Sequence, residues 1–456
     1  MPGIRSACWT FLAAGGFALL PGTSPVAARQ PGKDDLPKSP PTGEISNFKT
    51  APGIPAGDLK RAKDAFAALA KYNVEYVTHP RVYSAPQEFA PVVVKGVPIK
   101  TVDDLITDLS RHVLVPLPPP QSQVGPDHAD YIRELGAALD AGLKVVIETN
   151  DDRIVRVNAT RLLTSACRSG ATAHYPTVTA LIAEPATPTE VRYYAFQAAA
   201  NLLAAYDLND YRSRKHSAPP KEVAALIEAL QAAVVKPAGG GNLQALGEEQ
   251  LRVIGFVRRQ AVRALGQVRF AEFQVGKGPS VYPAFTLARV AASDPALAPA
   301  PGPAEIADAI AGICNMTPPT LPVGSAEQYA YAMTDAIATG LVAFATPRAA
   351  NRDDKTLAWR GTAARLGDAL KLWRALYDPN FNPAQPGAYS AALVPKPVSD
   401  LLLEADRRVL APMDGTVAKI DADGLRDVFR GGLRADKKWT LAPFRGDPKL
   451  VLPKKD

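Results

Sequence analysis

Two groups of basic residues stand close enough along the chain to act on one anion. Arg212, Arg214, Lys215 and His216 share one stretch, and Arg252, Arg258, Arg259 and Arg263 share another. A guanidinium carries five N–H donors in a rigid fork and grips a carboxylate or phosphate at two points. If the first stretch folds over the end of the second, Arg212, Arg214, Lys215, Arg258, Arg259 and Arg263 form a patch for an acidic glycan, a lipid head group or an acidic protein segment. The competing reading is a solvated face with interlayer pairs to Glu248 and Glu249. Tyr193, Tyr194, Tyr206 and Tyr211 offer a second chemistry, the lining of a concave peptide groove, with Tyr194 and Tyr211 as the binding candidates. Consecutive helical residues diverge by ~100°, so Tyr193 and Tyr194 cannot both face such a groove.

Signatures of catalysis are missing. The chain has no GxSxG elbow, HExxH pair, P-loop, CxxC or CxxCH. His79, His112, His128, His174 and His216 are scattered singly, with no i, i+4 partner for a metal pair. Asp421, Asp423, Gly424 and Asp427 resemble a calcium loop with its glycine misplaced. Asp151 and Asp152, adjacent in the chain, suit a helix N-terminus better than an acid–base pair. No catalytic residue, metal or cofactor is therefore assigned. Basic runs without interleaved aromatics, in a chain read as exported, argue against a nucleic-acid partner.

The elements that must position these residues follow from a repeat. Val257, Ala261, Ala264, Leu265 and Val268 fall at offsets 0, 4, 7, 8 and 11, one stripe of an α-helix. Val155, Ala159, Leu162, Leu163 and Ala166 reproduce the offsets, as do Val191, Ala195, Ala198, Ala199 and Leu202. An arginine follows the first residue of each copy: Arg258, Arg156 and Arg192. Ile306, Ile310, Ile313 and Cys314 make a fourth, worn copy with Ala307 in the arginine's place. Helical patterns over 130–147, 175–183 and 223–235 alternate with the first three templated helices, and Thr187-Pro188-Thr189-Glu190 predicts a capping box with proline at the first helical position.

The order valine, arginine, two residues, alanine, then Ala-Leu-Gly, as in Val257-Arg258-Arg259-Gln260-Ala261-Val262-Arg263-Ala264-Leu265-Gly266, resembles the second helix of bacterial HEAT-like repeats over about residues 127–316. The resemblance implies a HEAT-like α-α solenoid in which the arginine ties one layer to the next, making Arg156, Arg192 and Arg258 structural. HEAT-like stacks serve as scaffolds, peptide binders, enzyme accessory domains, bilin lyases and DNA glycosylases, with no shared catalytic residue to carry over.

The expected fold is mainly α, the solenoid being flanked by a small N-terminal α+β module at 56–120 and a C-terminal helical extension with a basic tail at 325–456. In the module, residues 58–72 and 101–109 read as helices and 74–77 and 89–99 as strands. Ser325 and Gln328 predict the cap of a helix to about 344, residues 356–377 a second helix and 398–410 a third. Residues 29–55, dense in Pro, Gly, Lys and Ser, read as a flexible linker. Arg5, the apolar run 9–20 and Val26-Ala27-Ala28 read as a signal peptide over 1–28, too short in its apolar part to span a bilayer. Cys167 and Cys314 are expected as two separate buried thiols, since stacked helices hold them too far apart to bridge.

With 456 residues, 47% hydrophobic and 21% charged, the chain is neither wholly disordered nor membrane-spanning in composition, and its net charge of +7 permits weak attraction to polyanions. These readings converge on an exported protein, periplasmic or secreted, that binds or scaffolds without catalysis. Its partner would be a protein segment or an anionic envelope polymer. The alternative is an enzyme whose site lies outside the repeats, with 377–389 the first place to look. The oligomeric state is left open.

Overall fold

The computed structural model describes residues 36–40, 42–50, 53–83, 93–94, 97–114, 128–206, 220–236, 246–274, 280–317, 323–351 and 358–377, with positions 404, 405, 407, 408 and 424. All of these but Leu36 belong to one unit, Pro37–Asp456. The helices are α1 Thr42–Thr50, α2 Leu59–Val77, α3 Pro80–Tyr83, α4 Val102–Val113, α5 Ala129–Thr149, α6 Arg153–Ala166, α7 His174–Ala183 and α8 Thr189–Ala205. They continue as α9 Pro220–Val235, α10 Glu248–Leu265, α11 Pro283–Ala291, α12 Pro303–Cys314, α13 Val323–Ala350 and α14 Trp359–Tyr377. Strand is confined, among the described residues, to two antiparallel two-residue ladders, Val93–Val94 on Val97–Pro98 and Phe273–Gln274 on Ser280–Val281.

The helices alternate between two layers. In one, α2, α5, α7, α9, α11 and α13 each pack on the next; in the other, α4, α6, α8, α10, α12 and α14 do the same. The pairs α5–α6, α7–α8, α9–α10 and α11–α12 join the layers. The four templated helices α6, α8, α10 and α12 are thus consecutive members of one layer, and their common stripe faces the core. Every template position is buried except Val257. Each fully buried Leu or Ile of that stripe contributes about 1.5–3 kcal/mol.

Helix starts are set locally. Asp152 Oδ1 accepts the Ile154 and Val155 N–H groups at 2.8 and 3.3 Å, as its place before α6 predicts. Thr101 and Asp104 make a reciprocal capping box on α4, at 3.1 and 2.9 Å. The box expected before α8 does not form. Pro188 stands at the cap without a side-chain bond, and Glu190 pairs instead with Arg153 of α6.

Several other expectations need correction. Residues 74–77 are the last turn of α2, not a strand, because Ala62, Phe66, Leu69, Asn73 and Val77 continue one buried helical stripe that overrides β-branched preference. Within the stretch read as a linker, Thr42–Thr50 is helical and buries Ile45 and Phe48, the Phe48 ring lying 6.2 Å from Phe66. Helix α13 starts at Val323, ahead of Ser325, and runs through Pro347 to Ala350. The helix expected over 398–410 lies almost wholly outside the described residues. Among the described residues, no helix is long and apolar enough to cross a membrane.

Candidate binding face

The template stripe turns inward, and the positions between its members line up from one helix to the next, some exposed, such as Phe256, and some, such as Glu305, Asp308 and Gly312, buried between neighbouring helices. The third position of each copy reads Val157, Tyr193, Arg259, Asp308, and the seventh reads Arg161, Gln197, Arg263, Gly312. The residue just before each copy reads Ile154, Glu190, Phe256, Glu305. Neighbouring helices bring these rows into contact. Tyr193 and Phe256 stack with ring centres 5.4 Å apart and planes 7° apart, and Tyr194 meets Tyr193 edge-on at 5.1 Å. The Arg161 guanidinium lies 5.9 Å from the Tyr194 ring centre and forms an ion pair with Asp103. As the ~100° step requires, Tyr193 leans toward α10 and Tyr194 toward α6. Phe256 is 51% exposed, and Val253 beside it is also open to solvent.

One turn further along α10, three arginines converge on one carboxylate. Asp308 Oδ2 accepts Arg259 Nε at 2.5 Å and Arg263 Nε at 2.9 Å, while its Oδ1 accepts Arg365 Nη2 at 2.6 Å. The Asp308 side chain is only 3% exposed, whereas Arg263 and Arg365 are 44% and 45% exposed. Among the described residues, three guanidinium charges against one carboxylate leave a surplus of two positive charges in this cluster. Of the residues singled out from sequence, Arg259, Arg263, Tyr193 and Tyr194 come to this face. Asp308, Phe256 and Arg365 were missed. Phe256 stands at an exposed position just before its copy and Asp308 at the buried third position of the fourth copy, while Arg365 is brought in by packing of α14 on α12.

Arg258 does not belong to the face, contrary to its place in the expected patch and in keeping with the structural role the repeat implies. It is fully buried, and its Nε and Nη2 donate to Glu305 Oε1 and Oε2 at 2.6 and 3.1 Å while Nη1 donates to the Pro299 carbonyl at 2.7 Å. The template arginines are structural, but only Arg258 reaches along the layer, from α10 to α12. Arg156 donates to the Ile147 carbonyl at 2.7 Å and Arg192 to the Glu184 carbonyl at 2.5 Å, each closing the end of the preceding helix of its own pair. Burial lowers the pKa of Arg192, and Glu184 opposes that shift. The expected partners of the basic stripe change too: Glu248 pairs within its own helix with Arg252 at 2.5 Å, and Glu305 and Asp308 make the contacts between helices. Tyr206 is buried edge-on against Phe270 and Phe273, not set in a groove. Arg212, Arg214, Lys215 and Tyr211, and the suspected calcium loop apart from Gly424, lie outside the described residues.

One cluster elsewhere has the residue types of a nucleophilic site. His174 Nδ1 lies 3.1 Å from Asp140 Oδ1, and Thr177 Oγ1 donates to Asp140 Oδ2 at 2.9 Å, beside Cys167. Burial first, and the Asp140 charge second, push the Cys167 thiol well above its ordinary pKa, so it stays protonated. His174 is sealed from solvent as well. The arrangement knits α5 to α7 and offers no exposed nucleophile. Among the described residues, no group of three or more His, Cys, Asp and Glu side chains could hold a metal. No family model, curated protein or solved structure matches this chain.

Proposed function

We propose that this chain is an exported, non-catalytic binding or scaffold protein built on HEAT-like repeats. It would work in the periplasm or outside the cell and hold a protein segment or an anionic envelope component. The repeat reading is supported by four helices of one template standing consecutively in one layer, with the template arginines closing helix ends or bridging helices. Export rests on the pattern of residues 1–28. The observation that carries binding is the continuous outward face of α8, α10 and α14, where stacked Tyr193 and Phe256 adjoin the arginines gathered on Asp308. Such a face combines apolar area with forked donors, the composition of interface cores.

The test is affinity capture from envelope extract with the chain from Arg29 onward, beside the same chain carrying Tyr194→Ser, Phe256→Ser and Arg263→Ser. A partner kept by the native chain and lost by the variant supports the reading. Partners held equally by both, or none with either, remove this face from consideration. Cell fractionation that finds the chain in the cytoplasm would remove export.

A further inference from the structure

We propose that the face of α10 and α14 docks an acidic protein segment carrying an aromatic or large aliphatic side chain beside paired carboxylates. This rests on the binding reading above and names the partner's chemistry. The Asp308 carboxylate is buried and fully used, accepting at both oxygens. Among the described residues, Asp308 is the ion-pair partner of all three arginines and takes one N–H of each guanidinium, so most of each fork is not used by that pair. Because Asp308 already anchors the three arginine heads, little rotamer freedom remains to be lost when a ligand carboxylate arrives. The two surplus positive charges match two ligand carboxylates.

Arginines alone would suit any polyanion. Arg252, Phe256, Arg259 and Arg263, however, share one stripe of α10, and Phe256 and Val253 are about half exposed. A bare polyanion leaves that apolar surface in water, whereas a peptide covers it. Phe256 and Arg263 lie about 10 Å apart along the helix at ~1.5 Å per residue. An extended segment covers that span in about three residues. The docked segment should therefore place its carboxylates about three residues from its apolar anchor.

The test pans a displayed random-peptide library on the immobilised chain. The expected result is enrichment of paired Asp or Glu with an aromatic or large aliphatic residue about three positions away, weakened by added salt. Affinity for the selected peptides should fall about tenfold or more in the double variant R263Q/R365Q and in F256S. Arg259 still pairs with Asp308 in both variants, and an unchanged melting transition checks that they fold. No enrichment, selected peptides without acidic residues, or equal binding to R263Q/R365Q would overturn the proposal. So would polyphosphate binding as tightly as the peptides with F256S unaffected, which assigns the face to an anionic polymer. Enrichment of non-acidic peptides alongside successful envelope capture would refute the acidic partner and leave the binding function standing.

Discussion

Arg258 and Glu305 form a two-point ion pair between α10 and α12 with neither side chain open to water: the guanidinium is 0% exposed and the carboxylate 7%. Glu305 Oε2 also accepts the Gly302 N–H at 2.9 Å, so the same carboxylate starts α12 and ties it to the helix before. Removing one partner strands a buried charge, which costs about 3–5 kcal/mol, far above the ~0–1 kcal/mol of an exposed pair. Arg258→Met and Glu305→Gln should each lower the urea midpoint by a corresponding amount. The double variant R258M/E305M should be clearly less destabilised than the sum of R258M and E305M measured singly. Additive losses would mean that the pair does not act as a unit.

The crossing of the same two helices depends on two glycines. A Cβ at Gly312 would stand 2.7 Å from Leu287 Cδ1 and 2.9 Å from Gly266 Cα, and one at Gly266 would stand 3.2 Å from Gly312 Cα. Backbone cannot retreat as a side-chain end can. Gly312→Ala should therefore destabilise by about 1–3 kcal/mol despite the better helix propensity of alanine. Gly266→Ala should cost less. Equal melting temperatures for Gly312→Ala and the native chain would show that the helices can separate without loss.

The inward half of this architecture was legible because burial imposes the helical period on any helix of the layer, and Ala159, Ala195, Ala261 and Ile310 fall on it whatever their neighbours are. The outward half was not. Arg259, Arg263 and Arg365 meet at Asp308 only because α10, α12 and α14 are successive neighbours, a fact no local pattern contains. Local rules failed where tertiary contacts outweighed them. Val74 and Val77 favour strand, but Val77 completes the buried stripe of α2 and Val74 is carried in the same helix. Thr187 and Glu190 favour a capping box, but Glu190 pairs with Arg153. Arg258 looked available for a ligand because its buried partner lies in the next repeat.

His112, near the end of α4, should make stability depend on pH. Burial first, then the Lys49 charge, lowers its pKa below the usual 6.5, with Asp108 opposing and Arg111 adding to the shift. A depressed folded-state pKa means that the unfolded chain binds the proton more readily. The stability His112 contributes is present above about pH 6.5 and is lost as pH falls through the folded value. Urea midpoints measured from about pH 8 to about pH 5 should fall more for the native chain than for His112→Gln. Parallel curves would show that His112 does not carry the effect.

Cys167 and Cys314 should behave as two unreactive thiols. Both are free and buried, and burial raises both pKa values, with the Asp140 charge adding to the shift at Cys167. Alkylation needs the thiolate and an open path, and neither is present in the folded chain. Iodoacetamide at neutral pH, followed by peptide mapping by mass spectrometry, should leave both cysteines unlabelled in native protein and label both in denaturant. Selective native-state labelling of Cys167 would mean that its packing beside the His174–Asp140 pair opens locally. Labelling of both at one rate would point instead to opening of the whole stack, since Cys314 lies three helix pairs further along. A peptide linking Cys167 to Cys314 would contradict the layer order itself, because the helices between them keep the two sulfurs apart.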